Sequence, residues 1–432
     1  MEEKNVSRTS FVCSGILIVL SVVSLVMLGY FEYILFYNHV LPTSYRIGIG
    51  VVLALFIVIC FALALGPRRL LFKVLGILLS AGLIFSLFVG IMYLTIGLNT
   101  LQSIQTTNSN KPVATKNQST PDPVNVMREG FIVYVSGIDE YGSISDVSRS
   151  DVNILLAVDP KNHNICMLSV PRDSYLRIAG GGKHRKDKLT HAGIYGISSS
   201  VQTIEEALGI NINYFVRLNF TSFLKIIDQV GGIEVDNPHD FTLGNGVHYQ
   251  KGKITLNGAE ALDFVRERYH LPNGDFDRQK NQQLVIESVF HKVLSPQLIL
   301  SFNGIMQSIS DSVQTNASQK VILDFVNSQM DAESNWKFAT IYLDGENKMG
   351  LPSYAMPNAR LFFFVPKESS LRKNGKILNR VVSGNYEQDL EELVSESSFE
   401  EEEGEERKDS RRSTSEDEES PDSQEESQSL GY

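Results

Sequence analysis

The stretch RSDVNILLAVDPKNHNICMLSVPRD, Arg149 to Asp173, holds two short apolar runs, Val152–Val158 and Ile165–Val170, bounded by Asp and Pro. Runs of this length, rich in Val and Ile, predict strands that are at least partly buried. Upstream, Phe131–Val135 reads the same way; downstream, so does Tyr214–Leu218. Between and beyond these strands the period changes to that of a helix. Ser200–Leu208 (SVQTIEEAL) stops before Gly209, Phe220–Val230 ends at Gly231-Gly232, and Gly258–Val265 and Gln282–Leu294 repeat apolar residues at helical spacing. Val247–Thr255 reads as a hairpin around Gln250-Lys251-Gly252. Strands alternating with helices predict one α/β domain, its sheet covered by helices on both faces.

Composition separates this domain from its flanks. Hydrophobic residues make up 43% of the 432-residue chain and charged residues 21%, which excludes wholesale disorder and a fully polytopic membrane protein. Glu391–Tyr432 carries 17 acidic and 4 basic residues, so the net charge of -11 belongs to that tail and the rest is nearly neutral. Its acidic blocks among serines predict a disordered segment, placed at 386–432. Cys13, Cys60 and Cys166 are too few for a disulfide framework or a Cys-rich zinc site, and the histidines are scattered.

Three apolar stretches, Phe11 to about Phe36, Ile47–Leu65 and Val74–Leu98, each have the roughly 20 residues that cross a hydrocarbon core. Residues 1–98 therefore read as a short N-terminus with three transmembrane helices. Lys4, Arg8, Arg68, Arg69 and Lys73 lie on one side and Arg46 alone on the other, so the positive-inside rule puts the N-terminus in the cytoplasm. Three spans then leave everything after Leu98 outside. So little chain remains inside that a nucleic-acid partner is not expected. Residues 99–126, rich in Ser, Thr, Asn, Gln and Pro, read as a linker, and 127–385 as the catalytic domain.

The chemistry is concentrated at strand ends. Asp139 closes the first strand and Asp151 opens the second, and two carboxylates at one sheet edge suit Mg²⁺ or Mn²⁺ completed by water and phosphate oxygens. Arg149, Arg172, Arg266, Arg268 and Arg278 all fall in motifs dense with apolar neighbours, and Arg is the residue for bidentate recognition of phosphate. Arg278 and Gln282, four apart, share one face of a helix that follows Asp275 and Asp277. Together these residues predict a pyrophosphate site; taken singly, Arg266 to Arg268 could equally cap a helix C-terminus and Arg278 could pair with Asp275.

The same motifs carry a resemblance. Arg149-Ser150-Asp151, SVPRD at 169–173, KLTHA at 188–192, DQVGG at 228–232, Leu256-Asn257-Gly258, and Arg266 to Arg268 followed by Asp275, Arg278 and Gln282-Gln283 resemble the LytR-CpsA-Psr family in order and spacing. YVSGIDEY (134–141), KDKLTHAGIYG (186–196), Asn213–Ile227 and LPSYAMP (351–357) resemble its capsule-type CpsA/Wzg branch. The resemblance implies a central mixed sheet flanked by helices. It implies a membrane-anchored phosphotransferase of a Gram-positive cell that moves a capsular or related anionic glycopolymer from a polyprenyl-pyrophosphate carrier to peptidoglycan, releasing polyprenyl phosphate. Asp139 and Asp151 would hold Mg²⁺, while Arg149, Arg172, Arg266, Arg268, Arg278 and Gln282 would hold the pyrophosphate. Asp275 would position or deprotonate the incoming hydroxyl. Implied partners are lipid-linked polysaccharide, peptidoglycan, membrane lipid and other capsule-synthesis membrane proteins. A non-catalytic sensor of lipid-linked polymer and a lipid-pyrophosphate phosphatase are the alternatives.

The resemblance also implies an apolar cleft for the polyprenyl chain, near Phe215, Phe220, Phe223 and Leu224. Three departures stand out: only the linker stands where branch members often carry an accessory domain, Asn281 stands where many members have Arg, and the acidic tail matches no family segment that can be assigned.

Overall fold

The structure, a computed structural model, describes residues 2–38, 40–41, 43–65, 70–104, 124–144, 147–181, 184–293, 312–330, 336–386 and 389–394. Arg68, Arg69, Leu294, most of the linker and the acidic blocks of the tail lie outside the described residues.

Three helices come first, α1 (Glu2–Tyr37), α2 (Thr43–Leu65) and α3 (Leu70–Ile104). Spans within them, Thr9–Tyr37, Thr43–Leu65 and Leu70–Asn99, are long and apolar enough to cross a membrane. Most of their apolar side chains face outward, while Leu28, Ile57, Leu83 and Leu87 pack between them. The third helix runs on through Ile104, so the first residues of the expected linker continue α3.

The α/β domain follows in the order β1 (Phe131–Ile138), β2 (Val152–Asp159), β3 (Asn164–Ser169), β4 (Tyr175–Arg177), β5 (Lys186–Lys188), α4 (Leu189–Ala192), α5 (Ile197–Leu208), β6 (Tyr214–Asn219), α6 (Phe220–Gln229), β7 (Ile233–Asn237), β8 (Phe241–Thr242), β9 (His248–Tyr249), β10 (Gly252–Leu256), α7 (Gly258–Arg266), α8 (Asp275–Val293), β11 (Val313–Thr315), α9 (Gln319–Met330), β12 (Lys337–Tyr342), β13 (Gly345–Met349), β14 (Phe362–Pro366) and α10 (Glu368–Ser383). The central sheet has the order β11-β6-β1-β2-β3-β12. It is mixed: β1/β6 and β3/β12 are parallel, while β1/β2, β2/β3 and β6/β11 are antiparallel.

Local chemistry sets the connections. Between β2 and β3, Asp159 Oδ1 accepts from the N–H groups of Lys161 (3.1 Å) and Asn162 (3.2 Å), a side chain standing in for a backbone turn. Asn219 and Asn257 cap α6 and α7 with reciprocal hydrogen bonds to Ser222 and Glu260.

Alternation along the strands divides the core in two. On one face Tyr134, Leu155, Cys166, Leu168 and Phe215 meet α5 and α10 through Ile204, Leu371, Ile377 and Leu378. Each such buried side chain contributes about 1.5–3 kcal/mol. Gly375 of α10 permits this closeness, since a Cβ there would fall 1.8 Å from the Leu208 carbonyl oxygen. The opposite face packs Phe131, Ile165, Met167, Tyr214 and Trp336 against α8 and α9. A separate cluster joins α6, α7 and α8 to the small β7/β10 sheet through Ile227, Ile233, Phe264 and Val285.

Three expectations are corrected. The Val247–Thr255 hairpin does not form: β9 pairs with β8 and β10 with β7, because Ile254 and Leu256 alternate in step with Val235 and Ile233. The helix read from Gln282 begins at Asp275. The start of the expected tail belongs to the core, because Leu390 and Leu393 are buried beside α10.

Candidate active site

Parallel β1 and β6 end at the same sheet edge at which antiparallel β2 begins and β3 ends. That edge therefore collects Asp139 after β1, Arg149 and Asp151 before β2, and Arg172 after β3. The Asp151 N–H donates to the Gly137 carbonyl at 2.8 Å, continuing the β1/β2 pairing into the loop.

The carboxylates and guanidiniums form linked pairs there. Arg172 Nη1 donates to Asp151 Oδ1 at 2.7 Å, and Arg172 Nε lies 3.7 Å from Asp173 Oδ2. Arg266, the last residue of α7, lies 3.9 Å from Asp139, and its guanidinium stands 4.6 Å above the Phe220 ring. Glu267 between Arg266 and Arg268 turns inward and accepts from the backbone of His270 at 2.9 Å, as an extended step should place it. Arg268 covers the Tyr269 ring at 4.6 Å. Arg278 Nη2 pairs with Asp275 at 2.5 Å on the first turns of α8.

Electrostatics tie these pairs into one cluster. Burial pushes the Arg278 guanidinium below its ordinary value, and Arg172 and Arg268 push the same way against Asp275 and Asp151. For Arg172 burial also acts downward, but the hydrogen bond and charge of Asp151, with Asp173 and Asp275, raise it overall. Arg278 Nε is buried with no hydrogen-bond partner among the described residues. A buried donor left unmet costs stability, so Arg278 is held in the cluster at a cost.

Behind this rim an apolar cavity of about 100 Å³ opens between the sheet and helices α6, α7 and α8. Val135, Ile154, Leu218, Phe220, Phe223 and Val285 line it, and Asp151, Asn219 and Gln282 stand among its polar lining residues. Phe220 and Phe223 lie where the cleft is expected; Phe215 does not, since alternation along β6 turns it to the other face. Leu224 packs in the neighbouring α6/α7 cluster. Beside Arg266 an open polar cleft of about 290 Å³ is lined by Asn245, Asp263 and Glu267.

Arg149 is exposed and makes no hydrogen bond or ion pair among the described residues. Gln282 is nearly buried and donates to the Val265 carbonyl at 3.3 Å, joining α8 to α7. Asn281 is fully buried and donates to the Phe264 carbonyl at 3.2 Å. Its position serves the α7/α8 contact, so the missing arginine takes no charge from the rim.

Some residues of the site escape the sequence reading. Lys188 pairs with Asp173 and so buttresses Arg172. Arg217, fully buried, donates to the Ser148 carbonyl at 3.1 Å and to Gln314 at 3.3 Å, holding the loop that bears Arg149 and Asp151. Gly193 lets the α4 end touch that loop, since a Cβ would fall 2.2 Å from the Ser148 carbonyl oxygen. Asp187 joins two motifs: its carboxylate accepts from Ser353 Oγ (2.9 Å) and the Ala355 N–H (2.8 Å) and lies 2.8 Å from His191 Nδ1. Burial raises its pKa, but the hydrogen bonds from His191 and from the Ala355 and Lys188 N–H groups, with the charge of His191, outweigh that and bring it down to about 2. The motif density around Asp187 was a legible signal; the inward charge of Arg217 on an apolar strand had none.

Among the described residues no group of three or more His, Cys, Asp or Glu is arranged to hold a metal. Asp139 and Asp151 offer two carboxylates, a donor set that fits a hard divalent ion only with phosphate oxygens and water completing it.

Residues 92–367 match the LytR_cpsA_psr family. A polyisoprenyl-teichoic acid–peptidoglycan teichoic acid transferase TagU of Bacillus mycoides is 35% identical over 249 residues, 57% of this chain and 78% of that protein. The TagU of Bacillus anthracis is 34% identical over 298 residues, 68% of this chain and 94% of its own. The crystal structure of B. subtilis TagV superposes with a TM-score of 0.50 at 30% identity, covering 59% of this chain and 98% of that one. With the sheet-edge arginines, the apolar cavity behind them and three membrane-length helices ahead, the chain belongs to the LytR-CpsA-Psr family, transferases that pass glycopolymers from polyprenyl carriers to peptidoglycan.

Proposed function

We propose that this protein transfers an anionic glycopolymer of the capsular polysaccharide type from polyprenyl pyrophosphate to a peptidoglycan hydroxyl outside the cell, leaving polyprenyl phosphate. The carrying observation is the junction of a guanidinium rim with an apolar cavity, which matches a ligand with a charged head and a hydrocarbon tail. Arg172, Arg268 and Arg278, which share one field, bind the pyrophosphate oxygens. Arg266, backed by Asp139, and the exposed Arg149 complete the cationic ring, and Gln282 closes it from α8. Charge that grows on the leaving phosphate in transfer is stabilised by such preorganised cations. Asp275, paired with Arg278, orients the acceptor hydroxyl. The polar cleft beside Arg266 offers carboxylates and an amide to sugar hydroxyls.

Asp139 and Asp151 are the residues that would hold Mg²⁺, or Mn²⁺, whose charge neutralises the pyrophosphate. The basic residues Lys4 and Arg8 place the N-terminus in the cytoplasm and the catalytic domain outside. Capsule-synthesis membrane proteins are proposed neighbours for the three helices.

The test supplies full-length protein with a lipid-pyrophosphate oligosaccharide and peptidoglycan fragments. Expected are polyprenyl phosphate release and covalent polymer on the fragments, both dependent on a divalent ion and lost in Asp151→Asn and Arg266→Ala. Release without attachment identifies a phosphatase; tight binding without turnover identifies a sensor.

A further inference from the structure

Beyond the rim, the cavity has a second boundary, and it is made by the membrane helices. The β6/α6 wall of the cavity carries Leu218, Phe220 and Phe223. Leu218 also belongs to a packed apolar cluster that joins Ile226 and Val230 to Ile34 of α1 and to Leu94 and Leu98 of α3. Phe220, Phe223, Ile226 and Val230 recur at helical spacing along one side of α6 and just past its end, a stripe of about 15 Å. The stripe therefore starts beside the arginine rim and ends in the apolar cluster that also holds Val313, Leu323 and residues of α1 and α3, helices long and apolar enough to cross a bilayer. At the same junction Gln319 Nε2 of α9 donates to Asn38 Oδ1 just past α1, at 3.3 Å.

A long isoprenoid tail does not cross water to reach a cavity, because exposing it loses all of its hydrophobic stabilisation. An apolar surface continuous from bilayer to cavity removes that exposure. Resting on the lipid-pyrophosphate reading above, we propose that the polyprenyl tail enters the cavity from the bilayer along the seam between α6 and α3. The membrane helices are then part of the lipid site as well as an anchor.

The test uses the full-length protein in phospholipid vesicles and a polyprenyl-pyrophosphate disaccharide with a photoreactive group on the distal part of its tail. Labelling is expected on Ile226 or Val230 and on Leu94 or Leu98, as well as on cavity residues, and excess unlabelled donor suppresses all of it. Label confined to the cavity overturns the seam, as does α3 label that the competitor does not suppress. Absence of any competed label anywhere overturns the lipid-pyrophosphate reading itself. Ile226→Trp, which fills the seam without charging it, is expected to raise KM for the long-tailed donor about tenfold, the equivalent of a few buried methylene groups. The same substitution leaves KM for a short-tailed donor within about twofold, because that tail stays inside the cavity. Equal effects on both donors, with the fold intact by circular dichroism, overturn the seam.

Discussion

The two faces of the six-stranded sheet are built from similar apolar residues, yet one is filled throughout and the other, packed against α8 and α9 along part of its length, keeps a cavity near the strand ends. Beneath α5 and α10, Tyr134, Leu155, Leu168 and Leu378 are fully buried. Across the sheet, α6, α7 and α8 leave a cavity of about 100 Å³ between Val135, Ile154, Phe223 and Val285. Packed interiors rarely leave such space, because each unfilled volume forfeits dispersion contacts. The hollow face gives up stability, and the arginine rim lies at its mouth, where Asp151 and Gln282 join the apolar lining.

Substitutions on either side of this division should separate folding from turnover. The largest expected effect is at the rim: Arg278→Gln should lower turnover about a hundred- to a thousandfold, as removal of a transition-state donor does. Thermal stability should hold or rise, because a buried guanidinium with an unmet Nε is lost. Equal turnover in a steady-state assay would show that Arg278 serves structure alone. Next, Leu155→Ala on the filled face should cost about 3 kcal/mol in denaturant unfolding, whereas Phe223→Ala beside the cavity should cost about 1 kcal/mol. Only Phe223→Ala should weaken long-tailed donor binding; equal stability losses would mean that the hollow is filled in solution.

The smallest effect belongs to the clamp behind the rim. The folded carboxyl of Asp187, brought down to about 2, lies below the usual carboxylate value of about 4. Its contribution, about 2 kcal/mol, is full above about pH 4 and is lost as pH falls through about 2. Asp187→Asn should remove that acid-range slope from the pH dependence of unfolding, with Asp187→Glu restoring part of it. An unchanged slope would show that the carboxylate is not held by Ser353, Ala355 and His191 as the structure has them.

Much of the fold was legible because it depends on period. The runs of β1, β2, β3 and β6, the helices α5, α6 and α7, and the three membrane-length helices all carry their spacing and stop signals in local sequence. The β9 and β10 pairings were not legible, because each strand takes its partner from elsewhere in the chain. Leu390 and Leu393 were misread because two leucines beside an acidic tail have no period, and only α10 and the sheet give them a surface to cover. Most rim residues were named from their motifs; Lys188 and Arg217 were not, since a charge that supports another charge is chemically indistinguishable in sequence from one that faces solvent.

Sequence alone determined the membrane helices, the α/β alternation, the set of arginines and carboxylates, and the family. Those follow from residue type, spacing and order along the chain. Tertiary structure decided which face of the sheet keeps a cavity, which arginines share a field, that Asn281 serves helix packing, and that α3 and α6 contribute to one apolar cluster. Cavities and shared fields are properties of side chains brought together from distant positions, and a tunnel wall and a packed core have the same composition until the fold sets the distance between them.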